Sequence, residues 1–175
     1  MSPPRIAAVA APLARENDPP DSAEEFRKVM GCVPKGVSVV TAQGRFGPSG
    51  MTVSALCSVS LDPPQLLVCL GNGSHTLNVV RASERFGVNI LSSEQQEVSQ
   101  AFAARGKGPE KFNGLSYSSE AGAPVLDDAL AWVVCDVVQL HIAGDHTVVI
   151  GSAIATAHQG GNPLVWHRGD YRSVA

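Results

Sequence analysis

Long apolar runs and basic blocks are both missing from this chain. No stretch reaches the roughly twenty apolar residues of a membrane-spanning helix. Lysine and arginine total 13 against 16 acidic residues, a net charge of −3 with no basic cluster, which excludes the electrostatic footprint of a nucleic-acid binder. Charged residues are scarce at 17 %, while 44 % of the chain is hydrophobic, so it carries enough apolar material for a core and is not a wholly disordered polymer. At 175 residues a single domain is expected. There is no internal repeat.

The familiar chemical motifs are absent too. There is no Walker A loop, no G-x-S-x-G elbow and no H-E-x-x-H. Gly71 and Gly73 have the first spacing of a dinucleotide fingerprint, but position 76 is Thr; Gly106 and Gly108 fail likewise at Lys111. None of the four cysteines, Cys32, Cys57, Cys69 and Cys135, forms a C-x-x-C pair, so a zinc ribbon is excluded. Their apolar neighbours predict buried, reduced thiols. His141 and His146 flank a turn, but spacing alone is a poor argument for a metal pair. His158, beside Gly160 and Gly161, reads as a solvated loop residue. Asn72-Gly-Ser74 fits a glycosylation sequon, which matters only for a secreted chain. The N-terminal apolar stretch is short and broken by Pro12, so a flexible tail over residues 1–22 and a cytoplasmic protein are expected.

What remains is strand-rich. Ser22-Ala-Glu-Glu25 has capping-box spacing, with Phe26, Val29, Met30 and Val33 then on one helical face, stopped by Pro34 and Gly36. Strands are predicted over 37–43, 51–60, 65–70, 86–91, 129–142, 147–158 and 163–166, with a turn over 44–50 and a break at Asp62-Pro63-Pro64. Ser74 has N-cap chemistry for a helix through about Arg81, and Ser93 for one through about Ala104 with Val98 and Phe102 inward. Residues 105–114 read as a polar loop. The pattern predicts a mainly β protein, an antiparallel barrel with a few peripheral helices, over residues 23–175.

One stretch, GPSGMTVSALCSVSLDPPQLLVCLGNGSHTL, raises a specific question. Thr52, Ser54, Ser58 and Ser60 stand where a strand would carry bulky residues. A small-residue strand lets its backbone approach a flat ligand, and the helix start after Gly71-Asn-Gly offers amides and a positive dipole end to a phosphate. Equally, Ser74 is a plain N-cap and the strand serines face water. The residues alone leave both readings open.

From about Phe26 to Tyr171 the sequence resembles the flavin reductase family with the FMN-binding split-barrel fold, the small reductase components of two-component flavin-dependent monooxygenases. The carrying segments are FRKVMGCVPKGVSVVTA, GMTVSALCSVSLDPPQLLVCL, SHTLNVV, RFGVNIL, EKFNGL, GDHTVVIGSA and PLVWHRGDY. The resemblance implies an antiparallel split β-barrel, a homodimer, and hydride transfer from NADH or NADPH to FAD, with FMN as the second choice, for delivery to a separate monooxygenase. It implies that Pro48, Gly50, Met51, Thr52, Ser54 and Ala55 lie against the flavin. Cys69, Leu70 and Gly71 would flank the ring and ribityl chain. Ser74, His75 and Thr76 would hold phosphate, and Ala101 and Phe102 would close over the cofactor, with Lys111 and Phe112 near it. The nicotinamide would meet His146, the catalytic candidate, and Trp166, His167, Arg168 and Gly169, with Tyr171 adjacent. Relatives often carry Phe or Tyr where this chain has Trp166 and His167. The alternatives are another oxidation on the same barrel, or a non-catalytic flavin- or haem-binding module.

Overall fold

The structure, a computed structural model, describes residues 22–104, 106, 108–172 and 174. The expected N-terminal tail and the Ser22 side chain of the capping box lie outside the described residues. The elements are α1 (Ser22–Gly31), β1 (Lys35–Gly36), β2 (Ser38–Gly44), β3 (Gly47–Val53), β4 (Leu56–Leu61), β5 (Pro64–Gly71), α2 (His75–Ser83), β6 (Arg85–Ile90), α3 (Gln96–Ala103), a 3-10 turn (Gly108–Phe112), β7 (Tyr117–Glu120), β8 (Ala123–Leu126), β9 (Ala131–Ala143), β10 (His146–His158), β11 (Val165–His167) and β12 (Asp170–Arg172). The main sheet is antiparallel with strand order β3-β2-β6-β9-β10-β5-β4.

That order forces a barrel. β3 and β4 stand at opposite ends of the sheet, yet only Ser54 and Ala55 join them. Two residues let Val53 and Leu56 lie at most about 11 Å apart. The sheet must therefore roll until its ends nearly meet. The Ala55 carbonyl accepts from the Cys69 amide at 3.1 Å, across to β5. Inside the roll, Val40, Val68, Leu70, Leu77, Val80, Phe86, Val88 and Val149 are wholly buried together. A second core under α3 joins Val39, Leu91, Phe102, Phe112 and Leu126.

Several sequence expectations are corrected. The predicted strand over 51–60 is two strands on opposite edges, because the chain crosses the barrel at Ser54–Ala55. The turn predicted over 44–50 is only Arg45–Phe46, with Gly44 paired to Gly47. Asp62-Pro63-Pro64 does not interrupt pairing: Leu61 pairs with Pro64 across a two-residue turn, since a proline at the first position of a strand need donate nothing. Ser93 caps no helix; α3 starts after Gln95, whose Oε1 accepts from the Ser92 amide at 3.0 Å. His158 ends β10 instead of standing in a loop. The apolar face predicted for α1 is largely outward, with Phe26, Val29 and Val33 exposed. Cys32 and Cys57 are exposed as well, the first just beyond α1 and the second on edge strand β4; Cys69 is half-buried and Cys135 buried. Burial pushes the Cys135 thiol up to about 12.

The hairpin of β7 and β8 has no counterpart in the sequence reading. It is locked to the sheet by buried Asn89, whose amide donates to the Val39 carbonyl (3.1 Å) and to Thr41 Oγ1 (3.2 Å), while its Oδ1 accepts from the Leu126 amide (2.8 Å). Thr41 Oγ1 in turn donates to the Pro124 carbonyl at 2.5 Å.

Candidate functional site

Two neighbouring clefts open along β3. The larger, about 560 Å³, lies between β3, the start of α2, the end of α3 and the 3-10 turn. Each wall has a local cause. Ser74 caps α2 in extended conformation (φ −75°, ψ 139°), its Oγ accepting from the Leu77 amide at 3.2 Å. The other first-turn amides of a helix have no acceptor within it and point outward, here toward the cleft that Ser74, His75 and Thr76 line. Buried Ser49 and Thr76 share a hydroxyl–hydroxyl hydrogen bond of 3.0 Å, which fixes β3 against that helix start. Across the cleft, α3 rides directly on β3: a Cβ at Gly50 would lie 2.7 Å from the Phe102 ring, so only glycine fits there. Thr52 Oγ1 donates to the Ser99 carbonyl at 2.6 Å, pinning the same helix. Lys111 reaches in from the 3-10 turn, its Nζ donating to the Phe102 carbonyl at 2.9 Å. Burial holds the Lys111 ammonium below its usual range, partly opposed by Glu110. None of the described residues lining the cleft is acidic. The donor set, a helix N-terminus, hydroxyls and one ammonium, suits a phosphate ester.

The second cleft, about 190 Å³, shares Thr52 and Ala103 with the first. Its far side is the cross-strand pair Trp166 and Tyr171, ring edge to face at 4.8 Å. The hydroxyls of Tyr171 and Ser99 lie 2.8 Å apart, so the smaller cleft is wired to α3 as well.

Of the residues singled out from sequence, Gly50, Met51, Thr52, Ser74, His75, Thr76, Phe102 and Lys111 line the larger cleft, and Ser54, Trp166 and Tyr171 the smaller. The rest stand elsewhere. Leu70 and Phe112 are in the core, and Pro48 is buried in β3 and lines neither cleft. Ala101 is on the exposed side of α3, Ala55 on the crossing between β3 and β4, and Cys69 within β5, half-buried. Gly71 begins the turn into α2, its carbonyl accepting from the Ser74 amide at 2.9 Å. His167 ends β11, and Arg168 (φ +52°) and Gly169 (φ +82°) form the left-handed hairpin turn that follows. Ser58 and Ser60 lie on β4, outside both clefts. Ser49, Asn78, Ala103, Ala104, Gly73, Gly106 and Gly108 were not anticipated. Ser49 and Asn78 carried a signal, since each is a polar residue one or two positions from a predicted contact.

His146 lines neither cleft. It starts β10 opposite Gly71, with Nδ1 2.8 Å from Asp145 Oδ1. That hydrogen bond holds the exposed Asp145 carboxyl below its ordinary value. His141 pairs with Gln139 instead (2.8 Å), and no group of three or more potential metal ligands is found among the described residues. No helix there is long and apolar enough to cross a membrane.

Residues 30–175 match the model of the flavin reductase like domain. The chain is 35 % identical over 153 residues to the reductase subunit HsaB of a flavin-dependent monooxygenase from Mycobacterium tuberculosis, covering 85 % of this chain and 81 % of that one. It is 34 % identical over 164 residues to an NADH-dependent flavin reductase from a Rhodococcus species, covering 92 % of each. Among solved structures it resembles the NADH:FAD oxidoreductase SgcE6 of Streptomyces globisporus in complex with NAD and FAD fragments, at TM-score 0.84 and 30 % identity over 92 % of this chain and 98 % of that one. Sequence match, barrel topology and the clefts along β3 agree: the chain belongs to the flavin reductase like family.

Proposed function

We propose that this protein is an NAD(P)H-dependent flavin reductase that supplies free reduced flavin to a separate monooxygenase. The carrying observation is the acid-free cleft in which the α2 N-terminus, Ser49, Ser74, Thr76 and Lys111 meet beside a small-residue strand. Those donors suit the phosphate of a flavin nucleotide, with its ring system along Gly50 to Thr52. When bound, the flavin supplies the hydride-accepting chemistry and a reduced nicotinamide the hydride.

The chain's own contribution is placement. Ser74 and the helix amides hold the charged end, and Lys111 neutralises it. The Gly50–Phe102 contact and the Thr52–Ser99 hydrogen bond keep the cleft wall rigid. The smaller cleft, continuous with the first at Thr52 and Ala103, presents Trp166 and Tyr171 to a second planar group, the nicotinamide. His146, backed by Asp145, stands beside the Gly71–Ser74 turn, where it meets the nicotinamide nucleotide's polar part as its ribose or phosphates cross. No acid, base or nucleophile is needed for hydride transfer itself, so orientation decides the rate. NADH-dependent relatives favour NADH as donor and FAD or FMN as acceptor. The relatives named as reductase subunits or components of monooxygenases support a monooxygenase as the recipient. The exposed apolar face of α1 and the outward Val59, Leu61, Ile142 and Ile154 support a homodimer. Its compartment would be the cytoplasm, where reduced nicotinamides are supplied.

The test is NADH and NADPH oxidation followed by absorbance with added FAD, FMN or riboflavin. Flavin-dependent turnover is expected. Bound flavin that neither nicotinamide reduces would instead establish the non-catalytic binding module. His146→Ala is expected to raise the nicotinamide KM and leave the flavin Kd unchanged.

A further inference from the structure

A groove of about 460 Å³ runs on from the flavin cleft along the outer face of α2, beneath the Arg45–Phe46 turn between β2 and β3. It shares His75 and Asn78 with the flavin cleft, two residues three apart and so adjacent on one helix face. Any molecule that leaves the phosphate corner along that face enters the groove. Beyond the shared pair the floor turns apolar, formed by Val79 and Ala82.

The far wall is a ready aromatic platform. Phe46 is 83 % exposed, an unusual position for a phenylalanine, and the Arg45 guanidinium carbon sits 4.7 Å from its ring centroid. No acidic residue lines the groove, and Arg45 is its one permanently charged group among the described residues. The shape is fixed, because Gly47 has φ +120° and a Cβ there would lie 2.6 Å from Pro109 Cγ. The turn thus presses on the 3-10 turn, leaving no room for a side chain to fill the gap.

Resting on the flavin-reductase reading above, we propose that this groove receives the adenosine half of a flavin dinucleotide, which makes the protein selective for FAD over FMN. The phosphate corner would be common to both flavins. The second phosphate crosses the His75–Asn78 ridge toward Arg45, and the adenine stacks on Phe46. The groove has the three things this occupant needs: continuity with the phosphate end, a cation, and an exposed ring over an apolar floor.

The experiment is fluorescence titration of the full-length protein, freed of flavin, with FAD and with FMN, for the wild type, Phe46→Ala and Ala82→Trp. Both substituted residues are exposed, and the tryptophan is placed to fill the groove. Loss of one base-stacking contact corresponds to roughly tenfold in Kd. Wild type should bind FAD about that much more tightly than FMN, and each variant should bring the FAD Kd to that of FMN while the FMN Kd stays put. Equal wild-type Kd values would overturn the proposal. So would an FAD advantage that survives both variants, or a Phe46→Ala change in sedimentation with both flavin Kd values intact, which would make the face a subunit contact. These failures leave flavin binding in place; absence of both FAD and FMN binding by the wild type would overturn the flavin reading itself and the groove with it.

Discussion

Thr147 Oγ1 donates to Asn72 Oδ1 at 2.7 Å, joining the turn before α2 to the turn before β10. Arg81 Nη2 donates to the same hydroxyl at 3.1 Å, and the Asn72 side chain donates on to the Gly144 carbonyl at 3.0 Å. Thr147 is wholly buried, so its hydroxyl ties the turn before α2 and the turn before His146 to one point. Thr147→Val keeps the shape and removes the tie. It should lower the unfolding free energy by about 1–2 kcal/mol in chemical denaturation, and should raise both the flavin Kd and the nicotinamide KM. An effect on stability alone would mean the tie does nothing for the site.

Ser74 caps α2 and, in the proposed site, also faces the flavin phosphate; one substitution separates the two. Aspartate is as good an N-cap as serine and favours the positive end of α2. Ser74→Asp should therefore melt at or above the wild-type temperature, yet its carboxylate would repel the flavin phosphate. FMN affinity should fall by at least roughly tenfold, the equivalent of about 1.4 kcal/mol, while riboflavin affinity changes little. Equal losses for the two would place the phosphate elsewhere.

Lys111 ties binding to pH. Its ammonium titrates below the usual 10.5 because of burial. Between that lowered value and 10.5 the unfolded chain holds the extra proton, so Lys111's contribution to stability rises with pH in that window. FMN affinity should move the opposite way, falling as pH rises through the lowered value, with riboflavin affinity flat. Lys111→Met should abolish the FMN slope and leave the unliganded protein no less stable at neutral pH. Isothermal titration across the alkaline range reads the slope directly.

Asn89 tests the scaffold apart from the site. Asn89→Leu strands the buried Leu126 amide and the Thr41 network. It should cost about 2–4 kcal/mol of stability, measured by denaturant unfolding, with the flavin Kd of the folded fraction unchanged.

How much of this was legible in the sequence depended on how local each cause was. The Ser74 cap and the helix behind it were readable because capping involves a serine and an amide three residues on. The long β9–β10 hairpin was readable from sustained β-branched patterning. The separation of β3 from β4 was not, because Ser54 and Ala55 carry no glycine or proline, and only barrel closure puts their flanking strands on opposite edges. Placing Ser58 and Ser60 near a ligand followed from that one missed crossing. Phe102 was expected to be inward on helical spacing, but its seat on Gly50 is a long-range contact that no window of sequence contains. The β7–β8 hairpin escaped because Tyr117–Glu120 is polar and Ala123–Leu126 contains a proline, so neither shows alternation. Its anchor, Asn89, is one polar residue inside an apolar strand.

The two-residue crossing at Ser54–Ala55 carries a consequence for traffic. β3 lines both clefts and is laddered on one side only, to β2. Its other side is a slit in the barrel wall, latched where the Ala55 carbonyl accepts from the Cys69 amide at 3.1 Å. A slight loosening of that latch would widen both clefts at once without unzipping any strand pair. A reductase that releases its flavin, as proposed above, would gain from having its doorway at the joint where the wall is already parted.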